Sequence, residues 1–190
     1  MSEFEEVKGI SQAWVRNVPR FYDHRGFFSE EFRKSSAPNI TPDFVQDSLS
    51  YSEKNVLRGM HLQVNQWQLV TLIKGALIDV LIDLVECSPT YLESVSLNLS
   101  ELEENQLLLG PGIAHGYGVL SEDVILHYKS SVYYGDTPQF GLNWISKELE
   151  SHWPKRDWVV SERDSNFPVI QDLTMDSLFK ESMKITQGNN

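Results

Sequence analysis

Thiol chemistry is nearly missing from this chain. Cys87 is its single cysteine, so no disulfide can form within it, a composition that fits a reducing cytoplasm. The setting Cys87-Ser88-Pro89-Thr90 reads as a turn carrying an inert thiol. Positive charge is scarce as well: 16 Lys and Arg stand against 27 Asp and Glu, and the net charge of -11 argues against broad binding to nucleic acid or anionic membrane. A nucleotide ligand stays compatible with that charge, because a local arginine cluster can hold a diphosphate inside an acidic protein. The longest apolar region, Leu69 to Val85, is broken by Lys74, Asp79 and Asp83, so no membrane helix is expected. Met1 to Gly9 is acidic without an apolar core, so no signal peptide is expected, and the sequons at Asn39 and Asn98 read as chance matches.

Several reaction signatures are absent too. No Gly-x-Ser-x-Gly elbow occurs, and Gly110-Pro111-Gly112 lacks the Gly-Lys-Ser/Thr of a phosphate loop, leaving a tight turn. The His-x-His pair and nearby Glu of a metal-binding β-barrel are missing, since Gln63 follows Leu62 and Val64 to Gln68 holds no carboxylate. His61 and His115 alone make too few ligands, so no metal and no cofactor are expected.

What is present is mostly strand. Leu69-Val70-Thr71-Leu72-Ile73 ends at Lys74-Gly75, and Leu77 to Leu84 follows at once. Val95, Leu97 and Leu99 alternate with Ser96, Asn98 and Ser100, a clear period of two. Leu107 to Leu109 and Val124 to Tyr134 are further strand candidates, and Asp79 and Asp83 fit a strand in a largely buried sheet. Short strands between Gly, Pro, Asn and Ser turns predict an all-β sandwich or barrel in one domain over residues 1–190. Helical spacing of Met175, Leu178, Phe179 and Met183 predicts a C-terminal helix over Leu173 to Ile185.

The most informative segment is Val56-Leu57-Arg58-Gly59-Met60-His61-Leu62-Gln63. Arg58 and His61 are costly to bury unpaired, and they fall on opposite faces of a regular strand unless Gly59 marks a bulge. A guanidinium and an imidazole aimed into one pocket place an anion site beside a proton-transfer site. Of the other histidines, His152 and His127 take structural or surface readings, whereas His115, like His61, follows a small-residue turn. Tyr128 and Tyr134 share a face by parity. A phenol facing a histidine base suits removal of a proton on one side of a carbon and its return on the other.

Taken in order, Arg25-Gly26-Phe27-Phe28, Phe44-Val45-Gln46-Asp47, Val56 to Gln63, Ser88-Pro89-Thr90, Gly112-Ile113-Ala114-His115-Gly116-Tyr117, Tyr128 to Tyr134, Gly141-Leu142-Asn143-Trp144, Trp153-Pro154 and Ser161-Glu162-Arg163-Asp164 resemble the dTDP-4-dehydrorhamnose 3,5-epimerase family over about residues 7–171. The resemblance implies a cupin-type jelly roll, a cytoplasmic homodimer and cofactor-independent isomerisation of a nucleotide sugar. It matches His61 to the catalytic base, Asp164 to the carboxylate that orients it, and Tyr128 to the phenol acid. It matches Arg25 and Arg58 to contacts with the diphosphate or substrate, and Phe28, Glu30 and Gln46 to the nucleotide end. His115 and Tyr134 match the surroundings of sugar and base, with Arg25 and Phe28 reaching across the dimer interface to complete the partner's pocket.

Two positions depart from the family. Gln68 stands where a lysine is usual, and loss of that cation from an enolate site costs about 1 to 3 kcal/mol. Ser48 stands where Asn is common, and the segment from Gln63 to Gln66 is short. The expectation is therefore an epimerase of a 4-keto-6-deoxy sugar on a dTDP or GDP carrier, acting at C3, C5 or both with an altered sugar-facing wall. Two alternatives stand beside it: a cupin sugar ketoisomerase, and a sugar-nucleotide-binding protein that has lost turnover through Gln68.

Overall fold

The computed structural model describes residues 3–103, 105–136 and 139–172. Its strands in chain order are β1 (Glu5–Glu6), β2 (Ala13–Arg16), β3 (Arg20–Asp23), β4 (Gly26–Ser29), β5 (Gln46–Glu53), β6 (Val56–Gln63) and β7 (Gln68–Lys74). After these come β8 (Ala76–Asp83), β9 (Ser94–Ser100), β10 (Gln106–Leu109), β11 (Ile113–Val119), β12 (Asp123–Ser130), β13 (Gln139–Gly141) and β14 (Val159–Val160). One sheet runs β1-β2-β10-β7-β12-β5 and the second β13-β6-β11-β8-β9, with β14 added to β6 in parallel and every other pairing antiparallel. Two antiparallel sheets face to face, with a few short helical turns, make the expected jelly-roll sandwich. The helix expected over Leu173 to Ile185 lies outside the described residues. Among the described residues no helix is long and apolar enough to cross a membrane.

The strand periodicity explains the layers. Leu77 and Leu81 of β8 point between the sheets and meet Val70, Leu72, Leu107, Leu126 and Val119. The alternate residues Ile78, Val80 and Ile82 point the other way, into a second apolar layer with Leu57, Met60, Leu62, Leu142, Leu149 and Trp153. β8 is thus buried on both faces, and its two aspartates survive there because each is partnered. Asp83 accepts from Thr90 Oγ1 at 2.6 Å, from the Val85 amide at 2.9 Å and from Ser88 Oγ, which ties down the exposed Cys87 turn. Asp79 shares the inner face with Leu77 and Leu81 and is turned toward the site described below.

β12 stops at Ser130, four residues short of the expected end. There Ser131 leaves the ladder to exchange hydrogen bonds with Trp67, its amide donating to the Trp67 carbonyl and its Oγ accepting from the Trp67 amide. Trp67 also stacks on Trp14 with ring centroids 5.7 Å apart, covering the outer face of the first sheet where the chain between Gln63 and Gln66 is short.

β3 and β4 form a hairpin apart from both sheets. Its aromatic residues are largely bare, Phe28 at 70% and Tyr22 at 65% exposure. Arg20 fastens its base, lying over the Phe27 ring and bonding Glu101 and the Ile73 carbonyl.

Candidate active site

A cavity of ≈ 260 Å³ opens between the sheets. Gln46 and Ser48 of β5, Arg58 and His61 of β6, Gln68 of β7, His115 of β11 and Tyr128 of β12 all line it, with Tyr134 at its rim.

Arg58 and His61 reach one side of β6 through a bulge. Arg58 is in register with Tyr117 and His61 with His115, so β6 carries one more residue than β11 between those two pairs. Gly59 absorbs the irregularity at φ +121°, and a Cβ there would lie 2.5 Å from Gly116 Cα. Any side chain at this point collides with backbone. Gly59→Ala is therefore expected to destabilise the fold by about 1 to 3 kcal/mol for the collision and a similar amount for the backbone strain. A urea midpoint within error of the parent would contradict this account of the bulge.

Asp164 stands behind His61. It lies in the short helix α1 (Glu162–Ser165), whose capping residue Ser161 accepts from the Asp164 amide at 3.1 Å. Oδ1 of the carboxylate is 3.1 Å from His61 Nε2, and Oδ2 accepts from the Gly59 amide at 3.0 Å. Burial works to raise the Asp164 pKa, but the hydrogen bonds from His61 and Gly59 and the charges of His61 and Arg163 outweigh it and hold the carboxyl below its usual range. The Phe167 edge meets the His61 ring, with centroids 6.0 Å apart at 88°. Phe167 fits because residue 141, paired with His61 across β13, is glycine; a Cβ there would be 2.2 Å from the Phe167 ring.

Tyr128 ends a chain of hydroxyls. Arg58 Nε donates to Ser52 Oγ at 2.8 Å, Ser52 Oγ lies 2.9 Å from Tyr117 OH, Tyr117 OH lies 3.3 Å from Ser50 Oγ, and Ser50 Oγ lies 3.1 Å from Tyr128 OH. A guanidinium only donates, so Ser52 Oγ accepts from it; in each of the three hydroxyl pairs beyond, either oxygen can be the donor. The run ends at the Tyr128 hydroxyl, which lines the cavity. Burial, with Tyr117 and Asp79 nearby, raises the Tyr128 pKa well above the usual phenol value, so the phenol keeps its proton at neutral pH.

His115 has a buried carboxylate of its own. Its Nδ1 is 3.3 Å from both Asp79 oxygens, and its Nε2 is 3.1 Å from Gln68 Oε1. Tyr134 arrives from a turn rather than from strand parity, its amide donating to Gln46 Oε1 at 2.7 Å. Lys74 points away and pairs with Asp123, so it does not substitute for a cation at Gln68. His127 and His152 keep structural partners, Asp47 at 3.7 Å and Ser94 Oγ at 2.9 Å.

Three expected contacts are not brought to the cavity of this chain. Arg25 and Phe28 sit on the exposed β3–β4 hairpin, where Arg25 is tied to Asp23, and Glu30 is paired with Arg33. In the other direction, Ser50, Gln63, Gln66, Tyr117, Ser130 and Gln139 line the cavity without having been singled out from sequence. The alternation Ser48-x-Ser50-x-Ser52 is the signal that points to the serines, since period two sets all three on one face of β5. Among the described residues, no three His, Cys, Asp or Glu side chains gather to hold a metal ion.

A jelly roll with two carboxylate-backed histidines and a phenol around one cavity is a site equipped for proton transfer. Residues 8–172 match the family model described as dTDP-4-dehydrorhamnose 3,5-epimerase. A protein of that description from Shigella flexneri is 37% identical over 152 residues, covering 77% of this chain and 84% of its own. One from Sinorhizobium fredii is 37% identical over 183 residues, covering 90% and 94%. Among solved structures, the dTDP-6-deoxy-D-glucose-3,5-epimerase of Legionella pneumophila, in complex with dTDP-4-keto-L-rhamnose, aligns with a TM-score of 0.85 at 30% identity, covering 93% of this chain and 96% of that one. The chain belongs to the dTDP-4-dehydrorhamnose 3,5-epimerase family.

Proposed function

We propose that this protein epimerises a dTDP-linked 4-keto-6-deoxy sugar at C3, C5 or both, with His61 as base and Tyr128 as acid. The observation that carries this reading is one cavity lined by both groups, His61 backed by Asp164 and Tyr128 held in the cavity wall by Ser50. A proton next to the C4 ketone is acidic only because the resulting enolate spreads its charge onto oxygen. His61 takes that proton, and Asp164 fixes the ring orientation and stabilises the imidazolium that forms. Return of a proton from Tyr128 on the opposite face inverts the carbon. Arg58 supplies a cation at the cavity for the diphosphate or the sugar. The dTDP carrier is taken from the relatives' names.

The working unit in this reading is a homodimer in the cytoplasm, with Arg25, Phe28 and Glu30 of one chain completing the cavity of the other. Bare aromatic rings on a hairpin that belongs to neither sheet support it. The deciding experiment incubates the protein with dTDP- and GDP-linked 4-keto-6-deoxy sugars in deuterium oxide and follows C3 and C5 by NMR. Deuterium is expected at one or both carbons of the dTDP sugar, with inverted stereochemistry. A product whose ketone has moved identifies a ketoisomerase instead, and the absence of any exchange rules out both enzymes. The presence of Gln68 favours one further reading, binding without turnover, in which Gln68→Lys creates activity where the parent has none.

A further inference from the structure

His115 stands directly across from His61 in the β6–β11 register, and its two ring nitrogens are both engaged. Nδ1 faces both oxygens of Asp79, which is completely buried, and Nε2 faces Gln68 Oε1. We propose that Asp79 and His115 are positioning residues that lock the Gln68 carboxamide with its NH2 turned into the cavity, so that Gln68 is the neutral donor to the substrate ketone oxygen and to the enolate formed from it. This rests on the epimerase reading above and assigns the oxyanion contact within it.

The argument is a count of hydrogens. A carboxylate buried without a compensating proton or cation is costly, so the Asp79–His115 pair holds one shared proton along the Nδ1–Oδ axis and is neutral as a whole. Burial also raises the Asp79 pKa, which favours retention of that proton by the pair. If the proton sits on Asp79, the neutral ring carries its hydrogen on Nε2; if it sits on Nδ1, the ring carries both. In either distribution Nε2 donates, and the Gln68 group facing it must be the carbonyl. Gln68 NH2 then has no protein acceptor among the described residues, and Gln68 lines the cavity. The opposite rotamer of the amide would aim a carbonyl oxygen at the place where the enolate oxygen gains charge. The other titratable or charged groups lining the cavity around this arrangement are Arg58 and His61 on β6, Tyr117 on β11, Tyr128 on β12 and Tyr134 at the rim.

The test begins with the whole protein labelled with 15N. Long-range proton–nitrogen NMR of the His115 ring, assigned by its loss in His115→Gln, is expected to show a hydrogen on Nε2, free and with dTDP bound. A neutral ring with a bare Nε2 overturns the proposal, because Gln68 must then donate to it and turn its oxygen to the cavity. Asp79→Asn permits that neutral ring. It is expected to lower kcat for deuterium wash-in by about 10²-fold, the scale of one lost oxyanion donor, with KM little changed. Gln68→Glu, which offers only oxygens, is expected to fall as far. Wild-type kcat in either variant, folded by circular dichroism, overturns the donor role, and if Asp79→Asn does not fold, Gln68→Glu and the ring NMR decide. A parent protein that washes no deuterium into any sugar defeats the epimerase reading and the donor role together. The hydrogen on Nε2 still reports by itself whether the amide is locked.

Discussion

Replacing His61 with alanine is expected to abolish deuterium wash-in at the carbon beside the ketone, a fall of about 10²- to 10⁴-fold, while dTDP binding measured by calorimetry persists. The size follows from the lack of a substitute. His115 is the other imidazole in the cavity, but both its nitrogens are spent on Asp79 and Gln68. His61, in contrast, uses only Nε2, on Asp164, and among the described residues its Nδ1 makes no hydrogen bond. The side chain is 40% exposed, so a proton it accepts can pass to solvent. Alanine leaves Asp164 with the Gly59 amide and the fold with its bulge, so a loss of exchange without a loss of dTDP affinity isolates the base. Exchange at the parent rate would place the base elsewhere.

Tyr128→Phe is expected to separate exchange from inversion. His61 is untouched, so deuterium still enters the substrate, returned from the face it left by. Net inversion, read from the coupling constants of the product, is expected to fall by about 10²-fold or more, within the range of a positioned general acid. Because the run from Arg58 through Ser52, Tyr117 and Ser50 ends on the Tyr128 hydroxyl, phenylalanine removes the hydrogen-bond partner of Ser50 Oγ. That adds about 1 kcal/mol of instability, too little to unfold a domain. Parent-like inversion in this variant would remove Tyr128 from the acid role.

The strands of the sandwich were legible because each side chain reports its face: alternation in β9, continuous apolar runs in the doubly covered β8, and Gly-Pro turns between them. β12 was read too long because Tyr133 and Tyr134 continue the strand composition, whereas the backbone is drawn off at Ser131 by Trp67, a contact between residues far apart in sequence. Within the candidate site, Gly59 announced the bulge, and the pairing of His61 with Asp164, 103 residues away, came through family resemblance alone. Asp79 was visible as an anomaly in an apolar strand, but its partner was not, since β8 and β11 meet only once the sheet is built. The hydroxyl run was half visible: period two sets Ser48, Ser50 and Ser52 on one face of β5, but their partners come from three other strands.

Arg58 and His61, three residues apart, share a side of β6 because one surplus residue is held in a bulge against β11, and this makes the site depend on the bulge keeping its shape. Flattening the bulge with every residue kept would swing Met60 inward and turn the imidazole out into the apolar layer of Leu57 and Leu62. Position 68 is under no such rule, because exchanging one side chain on β7 leaves the backbone phase untouched. The side chain at position 68 can therefore change while Arg58 and His61 keep their places, whereas any change that flattens the β6 bulge separates the two.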